Sequence, residues 1–155
     1  MTTDRPGGGS QSDRPRRREL DSPVVTKTVR LLTPFVVTLG LFTMFHGTSS
    51  VGGGFQGGVI VAAALITVAF AFGIDQTRQW LDAAWLTGAA VSGILVFAAI
   101  ATGALVFDRV YLDLTAYPVP KAVVYAIELV ELGIGATVAA TILVMFLALA
   151  RGESG

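Results

Sequence analysis

The sequence predicts an all-α fold: an integral membrane four-helix bundle with both termini in the cytoplasm. Three observations carry that reading: an excess of apolar residues, four uncharged runs long enough to cross a bilayer, and a one-sided distribution of lysine and arginine. Of 155 residues, 53% are apolar and 14% charged, and mean hydropathy is +0.69. A soluble domain is roughly 45–50% apolar and about 25% charged. This composition cannot cover a water-facing surface, which argues against a soluble globular enzyme. There is no cysteine and one histidine, His46. No disulfide framework, thiolate metal site or His-rich metal centre is available, and no metal or cofactor is expected. Formal net charge is zero, so bulk charge does not point to nucleic acid.

The chain opens on residues 1–25, rich in Gly, Pro, Ser and Arg, which cannot bury enough apolar area to fold alone and read as a disordered basic tail. Residues 26–151 form the membrane domain. Leu31–Phe45 is a solid apolar run and the chain stays free of formal charge to Ile74, with a Gly/Ser-rich break at His46–Gly54; Phe55–Ile74, Ala83–Phe107 and Leu132–Ala150 give three more runs. Crossing a hydrocarbon core of ~30 Å takes about 20 helical residues. The spans are therefore expected at about residues 27–46, 55–74, 84–107 and 122–150. The runs lack the period-2 alternation of membrane β-strands and are twice as long as a strand needs. Three apolar runs follow the first, so the N-terminal basic region and first run read as a retained span rather than a cleaved signal.

An even number of spans puts both termini on one side. That side holds Arg5, Arg14, Arg16, Arg17, Arg18, Lys27, Arg30, Arg78 and Arg151, against Arg109 and Lys121 on the other. Lysine and arginine accumulate on the cytoplasmic side, which fixes the expected orientation. Trp80 and Trp85 flank the cytoplasmic loop, and Tyr111 and Tyr117 lie in the outer one. Small residues run through the spans, among them Gly57, Gly58 and Ala62–Ala64, and Gly88–Ala90, Ser92 and Gly93. Helices associate in lipid by close packing, which small residues permit. The chain is thus expected to pack against helices, its own or those of partner subunits.

The most distinctive segment runs from Phe45-His46-Gly47 through Gly52-Gly53-Gly54-Phe55-Gln56-Gly57-Gly58. A phosphate-cradling loop is excluded because the Gly-Lys-Ser/Thr ending is missing. Irregular backbone at a membrane interface must be covered by protein or reach water. Gly47, Gly52, Gly53, Gly54, Phe55, Gly57 and Gly58 are therefore expected to form a subunit-packing loop. Histidine is the usual side chain for proton exchange near neutral pH, so His46 is a candidate proton relay, against the plainer reading of an interfacial histidine bonded to a backbone carbonyl.

Together with Thr33-Pro34-Phe35 in the first helix, these residues resemble the MnhB-like family, small membrane subunits of the multi-subunit cation/proton antiporters (the Mrp, Mnh or Sha type). The strongest resemblance covers about residues 30–74, and the four-helix plan extends it to about 150. Two departures stand out: Val51 occupies the place where the family pattern has proline, and the long N-terminal tail lies outside it. The resemblance implies an accessory subunit in a plasma-membrane complex of about seven different subunits. Its partners would be other antiporter subunits, with Na⁺ and H⁺ as the ions the complex exchanges. Two alternatives are the corresponding subunit of an ion-pumping redox complex, such as a membrane-bound hydrogenase, and a purely structural assembly subunit.

Glu128 and Glu131 form a second constellation. At ~100° per residue they share a helix face with Lys121, Tyr125 and Gly135. Ionisable groups in membrane helices are costly and mark ion or proton paths by default; Glu131, the deeper, is the first candidate, then Glu128. Leu132–Ala150 alone nearly spans a bilayer, so both acids can instead be solvated at the headgroups. Arg78 is expected to pair with Asp75 or Asp82, Pro34 to interrupt hydrogen bonding in the first helix, and Pro118 and Pro120 to set the start of the fourth. The Arg16–Arg18 cluster reads as a topology determinant. No nucleophile–base pair suggests covalent chemistry.

Overall fold

The computed structural model describes residues 23–47 and 52–152. The expected tail lies outside the described residues as far as residue 22, as do Arg16–Arg18 and Val51. Four long helices carry the architecture: α1 (Pro23–Phe45), α2 (Gly54–Phe72), α4 (Ala83–Val106) and α5 (Ala122–Gly152). A short helix, α3 (Ile74–Trp80), joins α2 to α4. All four long helices are long and apolar enough to cross a membrane, and no strand occurs among the described residues. The protein is an all-α, multi-pass membrane protein.

Two boundaries differ from expectation. The first helix begins at Pro23 rather than near residue 27; proline suits a first turn, where its missing N–H would be unpaired anyway. The second stops at Phe72, because Gly73 has φ 97° and turns the chain into α3. That left-handed backbone suits glycine.

The long helices pack in the order α1–α2–α5–α4, with no extensive α1–α4 contact to close the ring. Glycines set this order. Gly57 and Gly58 are adjacent, so they point ~100° apart on α2. A Cβ on Gly57 would stand 2.6 Å from the Gly40 carbonyl oxygen of α1, and one on Gly58 would stand 2.6 Å from the Gly135 carbonyl oxygen of α5. On α5, Gly133 and Gly135 point ~200° apart. Gly135 faces Gly54 and Met44, whereas Gly133 faces Gly93 of α4 so closely that a Cβ on Gly93 has no room. The two inner helices are thus two-sided by virtue of paired glycines.

The resulting core is lean. Most of its buried apolar residues are alanines, with Leu86, Leu143 and Leu147 around Ala140 as the larger members. Burial reaches 33% of the most apolar window of α2 but 11% of that of α1, so α1 is an edge helix with most of its side chains turned outward. Six threonine hydroxyls inside the spans are satisfied locally. Thr33, Thr38, Thr43, Thr67, Thr87 and Thr102 each donate to the carbonyl four residues earlier, so none presents an unpaired hydroxyl to lipid. Thr137 instead crosses from α5 to the Ala90 carbonyl of α4 at 2.9 Å.

The link from α4 to α5 folds back along α4. Tyr117 donates its hydroxyl to the Ile100 carbonyl at 2.6 Å, and Leu112 N–H reaches the Ala101 carbonyl at 3.0 Å. Gly103 admits the Tyr117 ring, since a Cβ there would overlap its hydroxyl. Asp113 caps a 3-10 turn at Leu114–Ala116. The Thr115 hydroxyl, then its backbone N–H and the Arg109 charge, hold the Asp113 carboxyl below the usual carboxylate range. At this end of the molecule the helices are staggered. Gly54, the first residue of α2, lies against Glu131, nine residues into α5, so α5 rises ~14 Å beyond the start of α2 at ~1.5 Å per residue.

Gly58→Val should destabilise the isolated chain by about 1–3 kcal/mol, the usual range for overpacking, whereas Gly88→Ala, with nothing within 4 Å of the added Cβ, should be neutral; thermal unfolding in detergent compares them. A depressed carboxylate stabilises the fold above the unfolded-state pKa of about 3.9 and loses that contribution as pH falls through the folded value. Thr115→Val should therefore move the Asp113 titration, followed by NMR, upward toward the ordinary range.

Candidate functional site

Glycines from the link between α1 and α2 close over one carboxylate of α5. A Cβ on Gly47 would fall on the Glu131 carboxylate, and one on Gly53 would stand 2.8 Å from its Oε1. A Cβ on Gly54 would overlap the Glu131 carbonyl oxygen. The chain thus covers Glu131 with positions that carry no side chain, bringing backbone against the carboxyl group. The Oε2 atom is buried and has no hydrogen-bond partner among the described residues. Burial without a partner is costly for a polar atom, which singles Glu131 out among the described side chains of the spans.

Gly53 is the N-cap of α2 and supplies no side-chain cap, so the first turn of that helix begins beside the carboxylate. Gly52, at φ 144°, makes the turn into the helix; a Cβ there would also collide with Gln56. One turn along α5, Gly135 packs against Met44 and the Gly54 carbonyl. The carboxylate is therefore held on a rigid three-helix junction of α1, α2 and α5.

The other expected site residues fall around this centre. His46 immediately precedes Gly47, but its ring stacks on Phe42 with centroids 4.0 Å apart, and Nδ1 lies 3.1 Å from the Phe42 carbonyl oxygen, to which it donates when protonated. Glu128, one turn nearer the start of α5, is half-buried. Neither glutamate forms an ion pair with Lys121 among the described residues. Gly57 and Gly58 sit at the α1–α2 and α2–α5 contacts, while Phe55 is 64% exposed. No group of three or more His, Asp or Glu able to hold a metal occurs among the described residues.

The expected pairing of Arg78 with Asp75 or Asp82 is not formed. Arg78 reaches away from α3 and donates from Nη2 to the Leu147 carbonyl near the end of α5, where a cation complements the helix dipole. Asp82 caps α4, accepting from Ala84 N at 3.1 Å. Sequence reasoning also passed over Gly40, Met44 and Gly133. The signal for Gly133 was present: a second glycine two residues from Gly135 frees the opposite face of the same helix.

Comparison with known proteins follows the same lines. A family described as a domain related to the MnhB subunit of the Na⁺/H⁺ antiporter matches residues 24–144. A Staphylococcus aureus (strain MRSA252) protein named "Putative antiporter subunit mnhB2" is 31% identical over 139 residues, 86% of this chain and 99% of that protein. A Staphylococcus haemolyticus protein of the same name is 30% identical over 142 residues, again 86% of this chain and 99% of that protein. An uncharacterized Methanocaldococcus jannaschii protein, MJ1307, is 29% identical over 112 residues, 68% of this chain and 42% of that protein.

Gly54→Ala, which sets a methyl group against backbone, should cost about 1–3 kcal/mol. Gly53→Ala should cost less, because the Glu131 carboxylate can swing aside, and that cost should vanish in the Glu131→Ala background. A double-mutant cycle on thermal stability reads the coupling.

Proposed function

The chain belongs to the family of domains related to the MnhB subunit of Na⁺/H⁺ antiporters, and from that we propose that it is an accessory membrane subunit of a multi-subunit cation/proton antiporter with Glu131 as its ion-handling group. It works with other antiporter subunits in the plasma membrane, supporting exchange of cytoplasmic Na⁺ for external H⁺. Its role is transport, without covalent catalysis. Both termini face the cytoplasm on this reading, since nine of the eleven lysines and arginines then lie on that side.

One observation carries the assignment of Glu131: a carboxylate within a membrane span whose Oε2 is buried and unpartnered among the described residues. A carboxyl group so placed can take a proton, or a small cation completed by backbone oxygens, and exchange of the two is the step an antiporter needs. Gly47, Gly53 and Gly54 let the backbone come close enough to contribute. His46 and Glu128, at the same end of the bundle, extend the route toward the external surface. The contact of Gly54 with the Glu131 backbone favours a second reading, in which this junction serves assembly alone and the protein touches no ion.

Na⁺-dependent proton exchange in vesicles carrying the whole complex, at matched assembly, separates the two. Glu131→Gln should lower exchange about tenfold or more, equivalent to ~1.4 kcal/mol or more on the barrier, with a smaller loss for Glu128→Gln. Full exchange in both variants would leave the packing role.

A further inference from the structure

At the far end of the bundle from Glu131, where α3 leads into α4 beside the end of α5, a half-enclosed cavity of about 340 Å³ is lined by Arg78, Leu81, Asp82, Leu86, Val144 and Leu147 among others. Its two charged residues are of opposite sign and do not pair with each other. Arg78 is half-buried and its guanidinium uses one of its donors, on the Leu147 carbonyl; its other donors have no partner among the described residues. Asp82 engages Oδ1 with Ala84 N and leaves Oδ2 unengaged among the described residues. Asp75 and Asp82 are both exposed, but only Asp82 lines the cavity. Below the charges the wall is aliphatic, continuing along α4 and α5 through Leu86, Val144 and Leu147.

The level of the cavity in the membrane is marked by tryptophans. Trp80 and Trp85 bracket the α3–α4 junction and are 65% and 81% exposed, as expected of side chains that sit among lipid headgroups. A ligand here meets a cation, an anion and an aliphatic wall. Basic pockets between spans take phospholipid headgroups. The added carboxylate distinguishes among them: it welcomes an ammonium and repels a headgroup whose net charge is negative.

We infer that this cavity binds an aminophospholipid of the phosphatidylethanolamine class, its phosphate on Arg78, its ammonium on Asp82 and an acyl chain along Leu86, Val144 and Leu147. A phosphatidylcholine ammonium has no N–H to donate to Asp82, and phosphatidylglycerol has no cation to offer it. The inference rests on the cavity and the membrane setting and is independent of any ion path at Glu131.

The full-length chain, purified in detergent and incubated with equal amounts of phosphatidylethanolamine, phosphatidylcholine and phosphatidylglycerol of the same acyl composition, is read by native mass spectrometry. Wild type should retain phosphatidylethanolamine about fivefold over either competitor, the ~1 kcal/mol of one contact to Asp82, an N–H donated against choline and a charge against glycerol. Asp82→Asn, which keeps a good helix N-cap, should bring the ethanolamine-to-choline ratio to about one, and Arg78→Gln should lower retention of all three lipids. If Arg78→Gln does not fold, Asp82→Asn decides alone. Equal retention of the three lipids by wild type, or an ethanolamine preference that survives Asp82→Asn, overturns the inference.

Discussion

Where α2 meets α5, Gly58 lies against the backbone of Gly135 and Gly54 against the carbonyl of Glu131. Lipid tails are as apolar as leucine, so nothing comparable to the hydrophobic effect drives two spans together; close van der Waals contact does. The remaining contacts build outward from this seam. Gly57 gives α2 a second smooth face for α1, and Gly133 gives α5 a second face for α4. Filling any of these positions with a side chain moves a helix axis and, with it, every residue that helix positions.

The seam also couples the candidate site to the bundle. Glu131 contributes its backbone to the helix contact and its carboxylate to the enclosure beneath Gly47 and Gly53. Sliding α5 along α2 cannot occur without opening or tightening that enclosure. Met44 packs into the same junction from α1 against Gly57 and Gly135, so three helices report on one carboxyl group. A carboxylate built this way responds to its neighbours' movements, which suits a protein embedded among other subunits.

The spans were legible because length and hydropathy decide membrane crossing almost alone, and the positions of His46, the glycine-rich link and Glu131 could be singled out by rarity. The closing of the link over Glu131 could not. It depends on the rise of α5 past the start of α2, which no local pattern encodes. The order of packing was written in the doublet Gly57-Gly58 and the spacing of Gly133 and Gly135, yet small residues are so frequent here that the paired ones do not stand apart. Arg78 shows the opposite failure. Charge spacing along the chain pointed to Asp75 or Asp82, but the end of α5, distant in sequence, offers a carbonyl to the guanidinium. The fold-back of Tyr117 and Leu112 onto α4 is likewise non-local and carries no sequence signature.

The stagger between the two helical hairpins has a consequence for the surrounding bilayer. With 19 residues, α2 measures ~28 Å and matches a hydrocarbon thickness of about 30 Å, whereas the 29-residue span of α5 measures ~43 Å. The molecule therefore carries its shortest span at α2 and its longest at α5, while α1 and α4, with 23 and 24 residues, are nearly equal. Lipid accommodates such hydrophobic mismatch by stretching or thinning, at a cost that grows with each ångström. Neighbouring helices relieve it when their own lengths match the flank they meet. Length matching of this kind favours long neighbours for the extended α5 before any specific side-chain contact is made.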